Sequence, residues 1–376
     1  LWAIGLVGCL AWMWPRSPAL ALAGAMAACF IHAVFLGFEF LALPRIARAD
    51  PAPPATAAER LRAWTVETLL DIRVFAWRQP FRWRALPDVL DVPQAGSRRG
   101  VVFIHGFACN RGFWAPWMSR VQREGRPCVA VNLEPVFGEI DDYAPVIERA
   151  IQAVRQATGL PPVLVAHSMG GLAARAWWRT VDFDDSVAHV VTIGTPHAGT
   201  WIARFSRMPN GRQMQRDSAW LQDLNRALPP RAAQRFTCWW SNCDNVVMPP
   251  STATLPGADN RFVRGAAHVE LAYRPQVIDG TLALLAALDE PLEASQPAAA
   301  ARACARPDAR CGRSVRLALR QHGGGRRQRP QEKDEEGQDD GAHRLSSSGS
   351  RWPASRRRPR SPWSSGRRPA GRRSGP

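Results

Sequence analysis

The 376-residue chain has one lysine, Lys333, and no Cys-x-x-Cys pair, His-Glu-x-x-His motif or internal repeat. Without those motifs there is no spacing for a zinc site, and no metal is expected. Without a repeat the chain is not a solenoid. Arginine replaces lysine almost throughout, which reflects GC-rich coding and says nothing of function. The net charge of +17 is concentrated rather than spread: residues 301–376 hold 20 Lys+Arg against 7 Asp+Glu, and residues 1–300 hold 29 against 25. The body therefore lacks a general basic surplus, and nucleic acid is not an expected partner. The eight cysteines form no disulfide framework. Cys238 and Cys243 are close enough for a loop bridge, but buried thiols are the commoner outcome.

What is present begins with apolar sequence. Residues 1–14 carry no charge, and residues 18–44 run nearly unbroken. The second run exceeds the roughly 20 residues that cross a bilayer, so 1–44 reads as transmembrane segments of a bacterial inner-membrane protein. No basic stretch precedes the first run, and the second is too long for a signal peptide. Because the chain opens at Leu1, a missing beginning or an alternative start codon is expected. His32 and Glu39 interrupt the second run and face a partner helix or the interface. Arg45, Arg48, Arg60 and Arg62 follow it, against Arg16 alone between the runs, which places the body on the cytoplasmic side. Residues 45–98 read as a proline-stiffened linker and an amphipathic helix with Leu61, Trp64, Leu69 and Leu70 as its apolar positions.

From residue 99 to 292, short apolar runs alternate with helical ones, the pattern of a mainly parallel sheet covered on both faces. After about residue 293 the composition collapses into Arg, Ser, Pro and Gly, which cannot bury a core and reads as a disordered tail. The same composition fits GC-rich DNA translated out of frame, or a basic arm for nucleic acid or anionic lipid.

The chemistry centres on Val163-Leu-Val-Ala-His-Ser168-Met-Gly-Gly171. An apolar run, a sharp turn with serine at its apex and a helix-forming run follow one another, which lifts the hydroxyl above the sheet over a helix N-terminus. A serine hydroxyl needs a base to take its proton, and the base needs an acid to orient it. The chain supplies Ser168, Asp244 and His268 in that order. Asp244 follows a strand run, where its plain reading is an Asx-turn; Asp259 is a competing acid in a plainer turn. His105, His167, His189 and His197 compete for the base, but only His268 lies between the last strand run and the closing helix. Backbone N–H groups of Phe107 and Met169 are the candidate oxyanion donors.

Four blocks carry a family resemblance: His105-Gly-Phe, His167-Ser-Met-Gly-Gly, Thr192-Ile-Gly-Thr-Pro-His-Ala-Gly199, and the loops of Asp244 and His268. In these the chain resembles the α/β-hydrolases, bacterial triacylglycerol lipases and esterases in particular. The elbow opens with Ala166 where Gly is usual, a small residue still. The resemblance implies an α/β-hydrolase fold, Ser168 as nucleophile, Asp244 as orienting acid, His268 as base, and Phe107 and Met169 as oxyanion donors, with no cofactor. Residues 200–234 read as a lid-like insertion, or as a packed helical pair, with Trp201 and Phe205 toward an acyl chain. The expected activity is hydrolysis of carboxylic esters, lipid esters above all, with membrane lipids as partners. Acyl transfer, thioester hydrolysis and a non-catalytic membrane protein with a hydrolase shell are the alternatives.

Overall fold

The computed structural model describes residues 8, 10–92, 97–181 and 185–290. The tail expected over 293–376 lies outside them, as does most of the first apolar run.

Among the described residues, strands β1 (Val101–Ile104), β2 (Cys128–Ala130), β3 (Val163–His167), β4 (His189–Ile193), β5 (Phe236–Ser241) and β6 (Asp259–Val263) form one sheet. Its order is β2-β1-β3-β4-β5-β6, and every neighbouring pair is parallel. β1 and β3 are buried along their whole length. Side chains alternate between two cores, as the two-residue period of a strand requires. Val102, Ile104 and Leu164 face one core; Val101, Phe103 and Val163 face the other.

Helices cover both faces. On the first lie α4 (Ala144–Thr158) and α5 (Met169–Trp178); on the second lie α3 (Ala115–Arg123) and α10 (Pro275–Asp289). Ile147, Ile151 and Val154 give α4 its buried stripe, and Gly159, at φ 67°, ends it in the left-handed region. The chain leaves β1 toward β2 on one side and returns past it to β3 on the other. Such a reversal opens a crevice at the C-terminal ends of the two strands.

Before the sheet come α1 (Pro18–Ile46) and α2 (Ala57–Asp71). α1 starts on Ser17, whose side chain accepts from Leu20 N–H, with Pro18 in the first turn. Among the described residues it is the one helix long and apolar enough to cross a membrane. A single face of its C-terminal half is buried, through Leu36, Phe40 and Leu43. α2 opens with a reciprocal cap between Thr56 and Glu59 and continues as a wider π-helical segment, Ile72–Arg78. Of the positions the apolar pattern marks, Trp64 and Leu70 pack against buried clusters and the other two do not. Leu61 and Leu69 are exposed, while Ala63, Glu67, Asp71 and Val74 are buried. The inward stripe steps by four, four and three residues, and acids occupy half of it.

The insertion at 200–234 holds a 3-10 turn, Trp201–Phe205, then α6 (Pro209–Gln213), α7 (Ala219–Arg226) and α8 (Pro230–Ala233). Met214, Leu221 and Leu224 sink into the first core. Trp220 Nε1 donates to Asp141 at 2.6 Å, and Asn210 Nδ2 to the carbonyl of Val136 at 2.9 Å. Cys109, Cys128, Cys238 and Cys243 are free thiols. Burial pushes the last two up to about 12. Helix α9 (His268–Tyr273) lies between β6 and α10.

Candidate active site

Ser168 stands between β3 and α5 at φ 54°, ψ −128°. A non-glycine residue adopts such a conformation only when its surroundings impose it. Its N–H is pinned to the carbonyl of Ile193 in β4 at 2.9 Å. Small residues make the elbow possible: a side chain on Gly170 would meet the carbonyl oxygens of Ile104 and His105 at 2.5 and 2.6 Å. Met169, as the first residue of α5, has no i−4 partner for its N–H.

Asp244 follows β5 and does two things. Its Oδ1 accepts from the N–H groups of Val246 and Val247 at 2.9 and 2.7 Å, the Asx-turn of its plain reading. Its Oδ2 lies 2.9 Å from His268 Nδ1. His268 Nε2 in turn lies 3.0 Å from Ser168 Oγ. Asp259 is drawn elsewhere, to Arg261 at the sheet edge. Gly194, at φ 56°, passes beneath this row. A Cβ there would sit 3.1 Å from Asp244 Oδ2 and 3.2 Å from His268 Nδ1.

The turn after β1 approaches from the other side. A Cβ on Gly106 would meet that of Ser168 at 2.8 Å. Burial depresses His105 to about 4, so its ring is neutral. Its Nε2 accepts from Leu133 N–H at 3.0 Å, which leaves Nδ1 to donate to the Gly106 carbonyl at 2.9 Å. In a trans peptide the C=O and the following N–H point opposite ways. Holding the Gly106 carbonyl therefore fixes the plane of the peptide that carries Phe107 N–H, and Phe107 lines the crevice. His167 is likewise neutral, held well below its ordinary range by burial and then by His268. Its Nε2 donates to the His268 carbonyl at 3.2 Å, and its ring stacks on Phe113.

A cavity of about 540 Å³ lies over Ser168 and His268. Neither Trp201 nor Phe205 lines it. Trp201 N–H is bonded to the Met248 carbonyl at 2.7 Å, and its ring packs on Phe205, which turns the pair away. The apolar wall comes instead from Phe35 and Leu36 of α1 and from Phe75. His32 and Glu39 of α1 also line the cavity, and His32 faces a partner helix as expected, its Nε2 3.3 Å from Asp71 of α2.

The N-terminal helices also fasten the loops of Asp244 and His268. Glu39 accepts from Asn245 Nδ2 at 2.7 Å, and Asn245 Oδ1 accepts from His268 N–H at 3.2 Å. Glu67 accepts from Val269 and Glu270 N–H at 2.6 and 2.9 Å, capping the short helix that begins at His268. Burial, and then Asp71, raises Glu67 well above the usual carboxylate range, while the two N–H bonds pull it back. Arg62 donates to Glu270 at 2.9 Å, and Glu59 pairs with Arg264. Sequence reasoning missed Asn245 and Glu67, whose partners lie 23 and about 200 positions away. Glu39 did leave a signal, as an acid stranded in an apolar run.

A six-stranded parallel sheet with a serine on the elbow after β3 is an α/β-hydrolase fold. The family model for the alpha/beta hydrolase fold matches residues 100–231. A triacylglycerol lipase of Pseudarthrobacter phenanthrenivorans is 34% identical over 121 residues, 30% of this chain and 37% of that protein. A triacylglycerol lipase of Burkholderia plantarii is also 34% identical over 121 residues, 30% of this chain and 33% of that one. The alignments thus span about a third of the length of these relatives. The mature form of the Bacillus licheniformis lipase BlEst2 superposes with a TM-score of 0.45 at 17% identity, covering 53% of this chain and 94% of that one. The chain thus has an α/β-hydrolase fold and, over part of its length, is similar to triacylglycerol lipases.

Proposed function

We propose that the protein hydrolyses carboxylic esters, lipid esters in particular, through an acyl-enzyme, and that α1 anchors it in a membrane. The observation that carries this reading is the unbroken row Ser168 Oγ, His268 Nε2, His268 Nδ1, Asp244 Oδ2, with gaps of 3.0 and 2.9 Å. Ser168 attacks the ester carbonyl while His268 takes its proton, and Asp244 holds the imidazole tautomer and offsets its positive charge. The oxyanion forms against the N–H groups of Phe107 and Met169. His268 then protonates the leaving alcohol. Water, deprotonated by the same imidazole, attacks the acyl-serine and releases the acid, restoring Ser168. No cofactor enters these steps.

Lipid esters are favoured by the apolar cavity wall, by the apolar helix beside it and by the lipase names of the partly aligned relatives. Hydrolysis of p-nitrophenyl acetate, butyrate, octanoate and laurate tests the reading. The longer esters should be cleaved, and Ser168→Ala should lose about 10⁴- to 10⁶-fold in kcat while keeping its circular dichroism spectrum. Retained turnover in that variant would refute the assignment.

A further inference from the structure

We infer that the cavity opens beside α1 at the depth of a leaflet's ester groups, and that its substrate is an acyl-ester lipid entering sideways from the bilayer. This rests on the ester-hydrolase reading. α1 has two unlike faces. Phe35, Leu36, His32 and Glu39 line the cavity that holds Ser168 and His268. On the remaining surface Met26, Phe30, Ile31, Val34, Phe38 and Leu41 are exposed. So large an apolar surface calls for a cover. It continues onto α2, where Leu61 and Leu69 also point outward.

Helix geometry sets the depth. α1 has 29 residues, about 44 Å at 1.5 Å per residue. Crossing the hydrocarbon takes about 20 of them. With charged Arg16 just outside one boundary, the other falls near Gly37. That is within one turn of Phe35, Leu36 and Glu39. Arg45 and Arg48 then lie among the headgroups. In a glycerolipid the ester carbonyls sit at this same boundary between chains and headgroups.

The mouth fits that level. Phe35 and Phe107 both line the cavity, yet are 60% and 36% exposed, so they form its rim. Phe107 packs on half-exposed Phe137 at 5.7 Å, which extends the apolar rim away from α1. A lipid can therefore slide from the leaflet past Phe35 without its acyl chain meeting water. Glu39, bonded to Asn245, fixes the helix at this register against the loop of Asp244.

The test uses the full chain reconstituted in phosphatidylcholine vesicles. A p-benzoylphenylalanine at position 137, outside the cavity, should form a phosphatidylcholine adduct on irradiation. Cross-links only to a second copy of the chain, or to nothing, overturn the inference. In the same vesicles, the double variant Phe38→Gln, Leu41→Gln should hydrolyse dissolved p-nitrophenyl acetate within about twofold of wild type. Its hydrolysis of vesicle-borne diacylglycerol should fall about tenfold or more, through lost lipid contact. Equal loss on both substrates, or loss on neither, also contradicts it. A lipid adduct at position 137, with neither ester cleaved by the wild-type chain, would instead sink the ester-hydrolase reading, because the adduct needs no turnover.

Discussion

In the sheet, Val101, Phe103, Val163 and Val165 are buried between helices, whereas in α1 and α2 Phe30, Phe38, Leu61 and Leu69 point outward and Glu67 and Asp71 point in. The α/β body follows the rule of a protein in water, with apolar area hidden and its buried polar groups bonded to one another, as Arg175 is to Asn225 and as Ser168, Asp244 and His268 are in their row. The N-terminal pair inverts that rule. An inverted helix suits an apolar exterior and a polar neighbour within. Here the inner neighbours are the N–H groups of Val269 and Glu270, the Glu270 carboxylate and the Asn245 amide. The pair thus has two unlike faces: the outer one is apolar, the face proposed to meet lipid, and the inner one holds the two loops that converge on Ser168.

The comparison can be broken most sharply inside the body. Asp244→Asn should lower kcat/KM for p-nitrophenyl butyrate by about 10⁴-fold with the fold intact, since the amide favours the wrong imidazole tautomer. Steady-state kinetics on the purified variant checks this. Next comes Leu164→Ala, which hollows the sheet core. It should cost about 2–5 kcal/mol in urea unfolding.

In the N-terminal pair the effect should follow polarity rather than volume. Glu67→Ala leaves two buried N–H groups without an acceptor, at a cost of about 1–3 kcal/mol. It should lower kcat about 10- to 100-fold with little change in KM, because it loosens the helix that starts at His268. Glu67→Gln keeps one acceptor and should recover part of the loss. pH supplies a second readout. Burial raises the Glu67 carboxyl above its ordinary 4.5, with Asp71 adding to the rise. A carboxyl raised in the folded state lends stability that is complete below its unfolded value and lost as pH climbs through the folded one. The melting midpoint of wild type minus that of Glu67→Gln should therefore shrink from pH 4.5 to 8, by about 2–4 °C per kcal/mol lost. A gap that stays level or widens contradicts the account. The smallest effect belongs to the outer face: Leu69→Gln in detergent should change stability by less than about 0.5 kcal/mol.

The body was largely readable from the sequence because its signals are local. Each strand is a short apolar run, Ser168 sits in a run-turn-helix of a few residues, and His268 follows the last strand. Asp244 looked like a turn residue because it is one; only its second oxygen reaches His268. The N-terminal pair was harder. Its outward leucines imitate a buried stripe, and nothing near Glu67 announces N–H donors from about 200 positions downstream. Trp201 and Phe205 misled for a similar reason: an aromatic pair in the insertion after β4 packs on itself, and the cavity takes its wall from α1.

The most direct measurement of the central claim is covalent labelling with a fluorophosphonate, read by peptide mass spectrometry. An adduct on Ser168 of the wild-type chain, lost in folded His268→Ala, is the predicted result. A folded wild-type chain that leaves Ser168 unlabelled, or labels equally well without His268, would contradict it.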